Sequence, residues 1–206
     1  AGVIIPEEYG GSDFGYLSIG LILEELGRTL TASPLLVSAV GAASALVLGG
    51  SDAQKSEWLP KIAEGTAVGA LAVDEGAHHN PSKVDTTFSG GKITGKKTFV
   101  LEGFKADVLI VSAKGPDGVG FYLVRGDDAG VSRTRLALAD SRGAANIEFK
   151  GAAAAPLTGG AEVVEKVLDR VRAALSAEML GAAVQAFEVT LDYLKVRVQF
   201  GQVIGS

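Results

Sequence analysis

Few side chains in this sequence are equipped for chemistry, and they fall in three places. His78 and His79, the only histidines, sit in the string GAHHNPSK, and the loop offers only Glu75 and Asp85 as acids to join them. Adjacent histidines do not hold one metal without ligands from elsewhere, so no metal site is expected. Glu178 is the one acid on the apolar stripe of a long helical pattern, where it reads as a paired structural carboxylate. The third place is RVQFGQVIG, where Arg197, Gln199 and Phe200 lie within four residues. A guanidinium there suits forked hydrogen bonding to phosphate oxygens, with an amide and an aromatic face beside it. The same arginine also suits the negative end of a helix dipole, and the residues alone leave both readings open.

Other chemistries are closed off. The chain has no cysteine, which removes disulfides, thiolate metal sites and a cysteine nucleophile together. No glycine cluster matches a phosphate-cradling loop or a dinucleotide fingerprint. The net charge is -5 and the basic residues are scattered, so no stripe exists to neutralise a nucleic-acid backbone. AGVIIPEEYGG lacks a basic leader and a sufficient apolar run for a signal peptide, and no apolar stretch is long enough to span a membrane. A cytoplasmic protein is the expectation.

The 206 residues, 47% of them apolar, divide into three textures. From Tyr16 to about Gly65 the pattern is helical: Leu17, Leu21, Ile22 and Leu26 recur at helical spacing, and Leu35 to Leu48 forms a second stretch stopped by Gly49 and Gly50. Ser51 and Gln54 have the spacing of a capping box, which starts a further helix. From about Val68 short β-like runs follow one another without intervening helices, and Ser89-Gly90-Gly91-Lys92 looks like a hairpin turn. That succession predicts an antiparallel barrel or sandwich. After a small-residue linker, Val164, Leu168, Val171, Leu175, Ala182, Phe187, Leu191 and Leu194 follow steps of mostly three and four, roughly 60 Å of helix if unbroken. Asp192 to Phe200 reads as its last turns and Gly201 as its stop, with Trp58 and Phe187 as core residues. A helix of that length needs bundle partners, and the sequence reads as truncated before them. The expected class is α+β: an N-terminal helical domain (1–67), a central antiparallel β-barrel or sandwich (68–155) and the start of a C-terminal helical bundle (156–206).

This order of textures, with four strings in it, resembles the acyl-CoA dehydrogenase family. The strings are IPEEYGG (Ile5 to Gly11), EELGR (Glu24 to Arg28), GSDAQKSEWLPKIAEG (Gly50 to Gly65) and RVQFGQVIG (Arg197 to Gly205). GKKTFV followed by GFKADVLIV (Gly95 to Val111) looks like the family's central β domain. The resemblance implies FAD as cofactor, an acyl-CoA thioester as substrate, an electron-transfer flavoprotein as electron acceptor and same-fold subunits in a homo- or heteromeric oligomer. It implies that Arg197 faces the FAD pyrophosphate of a neighbouring subunit, with Gln199 and Phe200 beside it. It places Leu71, Val73 and Asp74 on one flavin-contact strand and Phe99, Val100 and Leu101 on a second, with His78 and Asn80 touching CoA.

Four positions depart from the family's pattern, one of them mildly: Phe99 replaces the more usual tryptophan and keeps an aromatic face. Asp74 and Leu101 stand where hydroxyl side chains usually approach the flavin, and two buried polar atoms left unpaired would cost about 1 to 3 kcal/mol each. Val171 stands where some members carry the catalytic glutamate, so no catalytic residue is assigned within this chain. Two sub-cases follow: an ordinary homo-oligomeric subunit, or the degenerate partner in a heteromeric assembly. A flavin-dependent oxidase or monooxygenase of the same fold and a non-catalytic structural subunit are the alternatives.

Overall fold

The computed structural model describes residues 1–205. Two short 3-10 turns, Gly2–Ile4 and Glu7–Tyr9, lead into helix α1 (Gly15–Arg28). A π-helical segment, Leu35–Ala42, runs directly into α2 (Ala43–Gly49), and α3 (Asp52–Glu64) follows. The capping box forms as expected: the Gln54 amide donates to Ser51 Oγ at 3.3 Å and the Ser51 amide to Gln54 Oε1 at 2.8 Å. Gly65 closes α3 in the left-handed conformation.

Seven strands then make one sheet: β1 (Gly69–Ala72), β2 (Thr87–Ser89), β3 (Lys92–Leu101), β4 (Val108–Gly115), β5 (Gly118–Arg125), β6 (Val131–Leu136) and β7 (Ala144–Pro156). The order β4-β2-β3-β7-β5 closes on itself through β4–β5, which makes a barrel, with β1 paired to β4 and β6 to β7. Most pairings are antiparallel, as the run of short strands predicts. The exceptions are β1 with β4 and the single bridge of β2 with β4, both parallel. The β2–β3 hairpin intervenes between β1 and β4, so the chain returns to β1 in the same direction. Its turn places Gly90 and Gly91 both at positive φ, the conformation a two-residue hairpin connection requires.

β4 explains how the layers join. Leu109 and Val111 point into the barrel with Ile147 and Phe149, while Val108 and Ile110 pack outward with Leu46, Leu59, Ile62 and Val167. A strand buried on both faces reads as an unbroken apolar run, here VLIV. β1 is held close to the π-helical segment: the Gly69 amide donates to Ser38 Oγ at 2.9 Å, and a side chain at Gly69 would collide with Ala42.

Helix α4 (Gly160–Val196) is 37 residues long. It crosses α1 with backbone against backbone: a Cβ at Gly27 would overlap the Glu178 carbonyl oxygen, and one at Gly181 would overlap that of Glu24. Glycine is required on both sides of that crossing. An Arg28–Glu188 ion pair at 2.6 Å adds a further tie.

Two features differ from the sequence reading. α4 stops at Val196 rather than continuing to Phe200; Arg197 turns to extended backbone, and β8 (Val198–Gln199) and β9 (Gln202–Val203) form a small hairpin about Phe200 and Gly201. Phe200 and Gly201 both have positive φ, so the glycine serves a turn and not a helix stop. Phe187 is 63% exposed, because the 14-residue α1 covers only part of α4 and leaves Met179, Leu180 and Tyr193 open as well. Trp58 is buried, as expected.

Candidate functional site

The site begins with a charge that has no exposure at all. Lys97, on β3, is fully buried, and its ammonium donates to the Val73 carbonyl at 3.0 Å, to Glu75 Oε1 at 2.6 Å and to Ser112 Oγ at 2.9 Å. Those three acceptors match the three protons of an ammonium, so nothing is left unsatisfied. Burial pushes the Lys97 pKa down, and Glu75 opposes that. For Glu75 burial alone would raise the pKa, but the Lys97 ammonium and the amides of Asp85 and Thr86 more than offset it and hold the carboxyl below its ordinary value. The two groups form a hydrogen-bonded pair, with Lys97 Nζ 2.6 Å from Glu75 Oε1.

Glu75 also closes a loop. Its two oxygens accept the amides of Asp85 at 2.6 Å and Thr86 at 3.1 Å, which joins the start of the segment after β1 to its end. Asp74 organises the interior of that loop: Oδ1 accepts the Asn80 amide at 2.9 Å and Oδ2 pairs with His79 Nδ1 at 2.8 Å. An ionised carboxylate can only accept, so His79 presents its proton at Nδ1 and leaves Nε2 for other partners. Asp74 is therefore engaged within the loop, a role its position in the sequence did not signal. The only local hint was the spacing of Asp-Glu from Asn80 and Asp85. His78 and Asn80 are exposed on the same loop.

Beside it, β3 bulges. The register with β7 shifts between Lys97 and Val100, and Phe99 sits at φ 51, uncommon for an aromatic residue. Its amide donates to Asn146 Oδ1 at 3.0 Å, and its ring is 56% exposed. The Thr98 amide donates to the Asp74 carbonyl at 2.8 Å, so the bulge and the end of β1 are tied together. Of the other residues expected here, Val73 and Val100 are buried, and Leu71 and Leu101 half-buried. These residues share one end of the barrel. Strained aromatic backbone at a bulge is a recurring mark of functional sites.

Arg197, Gln199 and Phe200 stand apart from that cluster. All three are exposed, Phe200 completely, on the small hairpin at the tip of α4. Its backbone bonds return to the helix end: the Ile204 amide donates to the Arg197 carbonyl and the Gly205 amide to Leu194. On α4 itself, Val171 is half-buried against the α1 cluster, while Glu178 is buried and paired with Arg142.

The profile for the acyl-CoA dehydrogenase N-terminal domain matches residues 1–66, and that for the acyl-CoA dehydrogenase C-terminal domain matches residues 158–206. The chain is 32% identical over 203 residues to the acyl-CoA dehydrogenase FadE27 of Mycobacterium tuberculosis, covering 98% of this chain and 54% of that protein. The chain belongs to the acyl-CoA dehydrogenase family. Among solved structures, the Tcur3481–Tcur3483 steroid acyl-CoA dehydrogenase G363A variant superposes with a TM-score of 0.91 at 33% identity, over 100% of this chain and 57% of that one. The ChsE4–ChsE5 complex from Mycobacterium tuberculosis gives 0.87 at 31%, over 98% and 56%. The chain thus spans about half the length of the relatives it matches.

The strings that carry the family resemblance have local physical reasons here. EELGR contains Gly27, which the α1–α4 crossing requires, and GSDAQ is the capping box of α3. No helix among the described residues is long and apolar enough to cross a membrane.

Two outcomes are expected. Glu75→Gln leaves a buried ammonium without its counter-charge and lowers stability at neutral pH by about 3–5 kcal/mol. The folded Glu75 carboxyl lies below its ordinary value of 4.5, so its contribution is complete above that value and is lost as pH falls through the folded one. Urea denaturation across pH should therefore show the gap between wild type and Glu75→Gln narrowing in acid; a constant gap contradicts the assignment. At Phe99, glycine should be more stable than alanine by about 1 kcal/mol, because both remove the ring but only glycine relieves the positive φ. Thermal melts of the two variants check this.

Proposed function

We propose that this chain belongs to a subunit that, with FAD, desaturates an acyl-CoA thioester between its α and β carbons, the flavin being held across a subunit boundary. The family is FAD-binding. The observation that carries the reading is the hairpin at the tip of α4. It presents Arg197, Gln199 and Phe200 to the outside, and the Arg197 side chain has no ion-pair partner among the described residues. An exposed guanidinium beside a small two-stranded hairpin is suited to a phosphate brought by a neighbour.

The residues present fit one side of such a site. Phe99, raised by its bulge, offers an aromatic face, and Leu71, Val73, Val100 and Leu101 line the apolar ends of the two strands. The polar complement on this side is thin, because Asp74 is engaged by His79 and Asn80 and Leu101 has no donor. Bound flavin would supply the acceptor for the β-hydrogen as hydride. Within this chain, the loop bearing His78 and Asn80 would position CoA. Phe99 and its neighbours would exclude water from one face. Removal of the α-proton needs a base that α4 does not offer, since Val171 is apolar and Glu178 is paired with Arg142.

The engaged Asp74, apolar Leu101 and Val171 favour the heteromeric form of this reading, in which the chain lends Arg197 to a flavin held mainly by a same-fold partner. The likeness to the ChsE4–ChsE5 complex supports it. The exposed apolar side of α4 is surface that same-fold subunits or further helices would cover. An electron-transfer flavoprotein would reoxidise the flavin, in the cytoplasm.

Arg197→Ala in the complete assembly tests the reading. Losing a charge-assisted bond of about 1.5–3 kcal/mol should weaken flavin retention by about tenfold or more, with melting of the apo-protein unchanged. Unchanged flavin content would mean that Arg197 does not hold the cofactor.

A further inference from the structure

At the end of β1 away from Asp74, a cleft of about 430 Å³ lies between α3 and the strand ends of the barrel. Lys61, Lys105, Arg125 and Arg133 line it, against the carboxylates of Asp107 and Asp127. Both carboxylates are occupied: Asp107 Oδ2 accepts the Val68 amide at 2.8 Å, and Asp127 lies 3.7 Å from Arg125 Nε. Arg125 pairs a second time with Glu57, at 2.5 Å. The ring of buried Trp58 holds two of the cations in place, with Lys61 Nζ at 5.0 Å and the Arg125 guanidinium at 5.2 Å from its centroid.

Arg133 is the unusual member. Nη1 donates to the Phe104 carbonyl and Nη2 to those of Ala106 and Gly126, each at 2.8 Å, while Nε is buried with no partner. Carbonyls satisfy hydrogen bonds but do not neutralise charge, and no carboxylate touches this guanidinium among the described residues. Burial accordingly lowers its pKa, with Asp107 opposing. Lys61 and Lys105 likewise form no ion pair among the described residues. Counted with Glu57, the four cations face three carboxylates, so the cleft keeps an excess of positive charge beside a partly desolvated wall, a setting that stabilises an anion.

We propose that this cleft binds a phosphate group, with Lys61 and Lys105 as its direct contacts and Arg133 supplying the fixed field behind them. The volume exceeds that of inorganic phosphate and lies in the range of small-molecule pockets, so the cleft has room for a phosphomonoester as well as for the free ion. The site lies at the opposite end of β1 from the Asp74 loop and does not rest on the flavin reading.

The test titrates the full chain with inorganic phosphate, with AMP and with adenosine, following melting temperature against sodium chloride at matched ionic strength. A saturable rise with phosphate or AMP, absent with adenosine and chloride, is expected; AMP acting at lower concentration than phosphate identifies a monoester, and equal action identifies the free ion. Lys61→Met and Lys105→Met, both at exposed positions, should each weaken the effect about tenfold. No saturable rise, or a rise that persists in the double variant shown by circular dichroism to be folded, overturns the proposal.

Discussion

A buried ammonium is tolerated only when each of its protons has an acceptor and its charge a counter-charge, and Lys97 meets both conditions at one point of the fold. Its three bonds gather the end of β1 at Val73, the first residue beyond Asp74 at Glu75, and β4 at Ser112. Ser112 in turn donates to the Val73 carbonyl at 3.3 Å. Three chain segments distant in sequence thus meet in one network whose members are mutually dependent. Because Glu75 also accepts the amides of Asp85 and Thr86, the network fixes both ends of the loop that carries His78, His79 and Asn80. The bulge that raises Phe99 starts at the same lysine and is tied to this end of β1 by the Thr98 amide on the Asp74 carbonyl.

The second constraint is steric. α1 and α4 approach so closely that Gly27 and Gly181 admit no side chain, and the contact sets the direction in which the 37-residue helix leaves the barrel. Glu178 sits on α4 next to the crossing and is paired with Arg142, from the segment between β6 and β7. Packed against the core and α1 as far as Glu188, α4 carries the small hairpin with Arg197 beyond its last contacts with α1, a position suited to reaching a neighbour. The barrel face and the hairpin stand apart within one chain, joined by α4, and in the proposed function each would contribute to a different flavin site. That separation is what makes a shared site the natural reading.

Local signals in the sequence proved reliable where the structure they specify is local. The Ser51–Gln54 capping box, the Gly90–Gly91 turn and the long period of α4 depend on a few neighbouring residues, and all three formed. Lys97 was not legible as a buried charge, because the string GKKTFV looks the same whether its second lysine faces water or Glu75. Asp74 was placed at a flavin edge by resemblance alone; that its carboxylate turns into the loop depends on partners five and six residues away. The exposure of Phe187 could not be read from periodicity, which marks a stripe but not what covers it. The hairpin at Phe200 was masked by residues that continue the helical pattern.

The account's central claim is that this chain supplies part of a flavin site completed by another subunit. Size-exclusion chromatography of the full chain, purified alone and after co-expression with a same-fold partner, tests it directly when visible flavin absorbance is followed with the protein. Flavin absorbance eluting only with an oligomer, and absent from monomer, is the result the account predicts. Flavin eluting in stoichiometric amount with monomer would contradict it, since a single copy would then hold the cofactor without a neighbour's arginine.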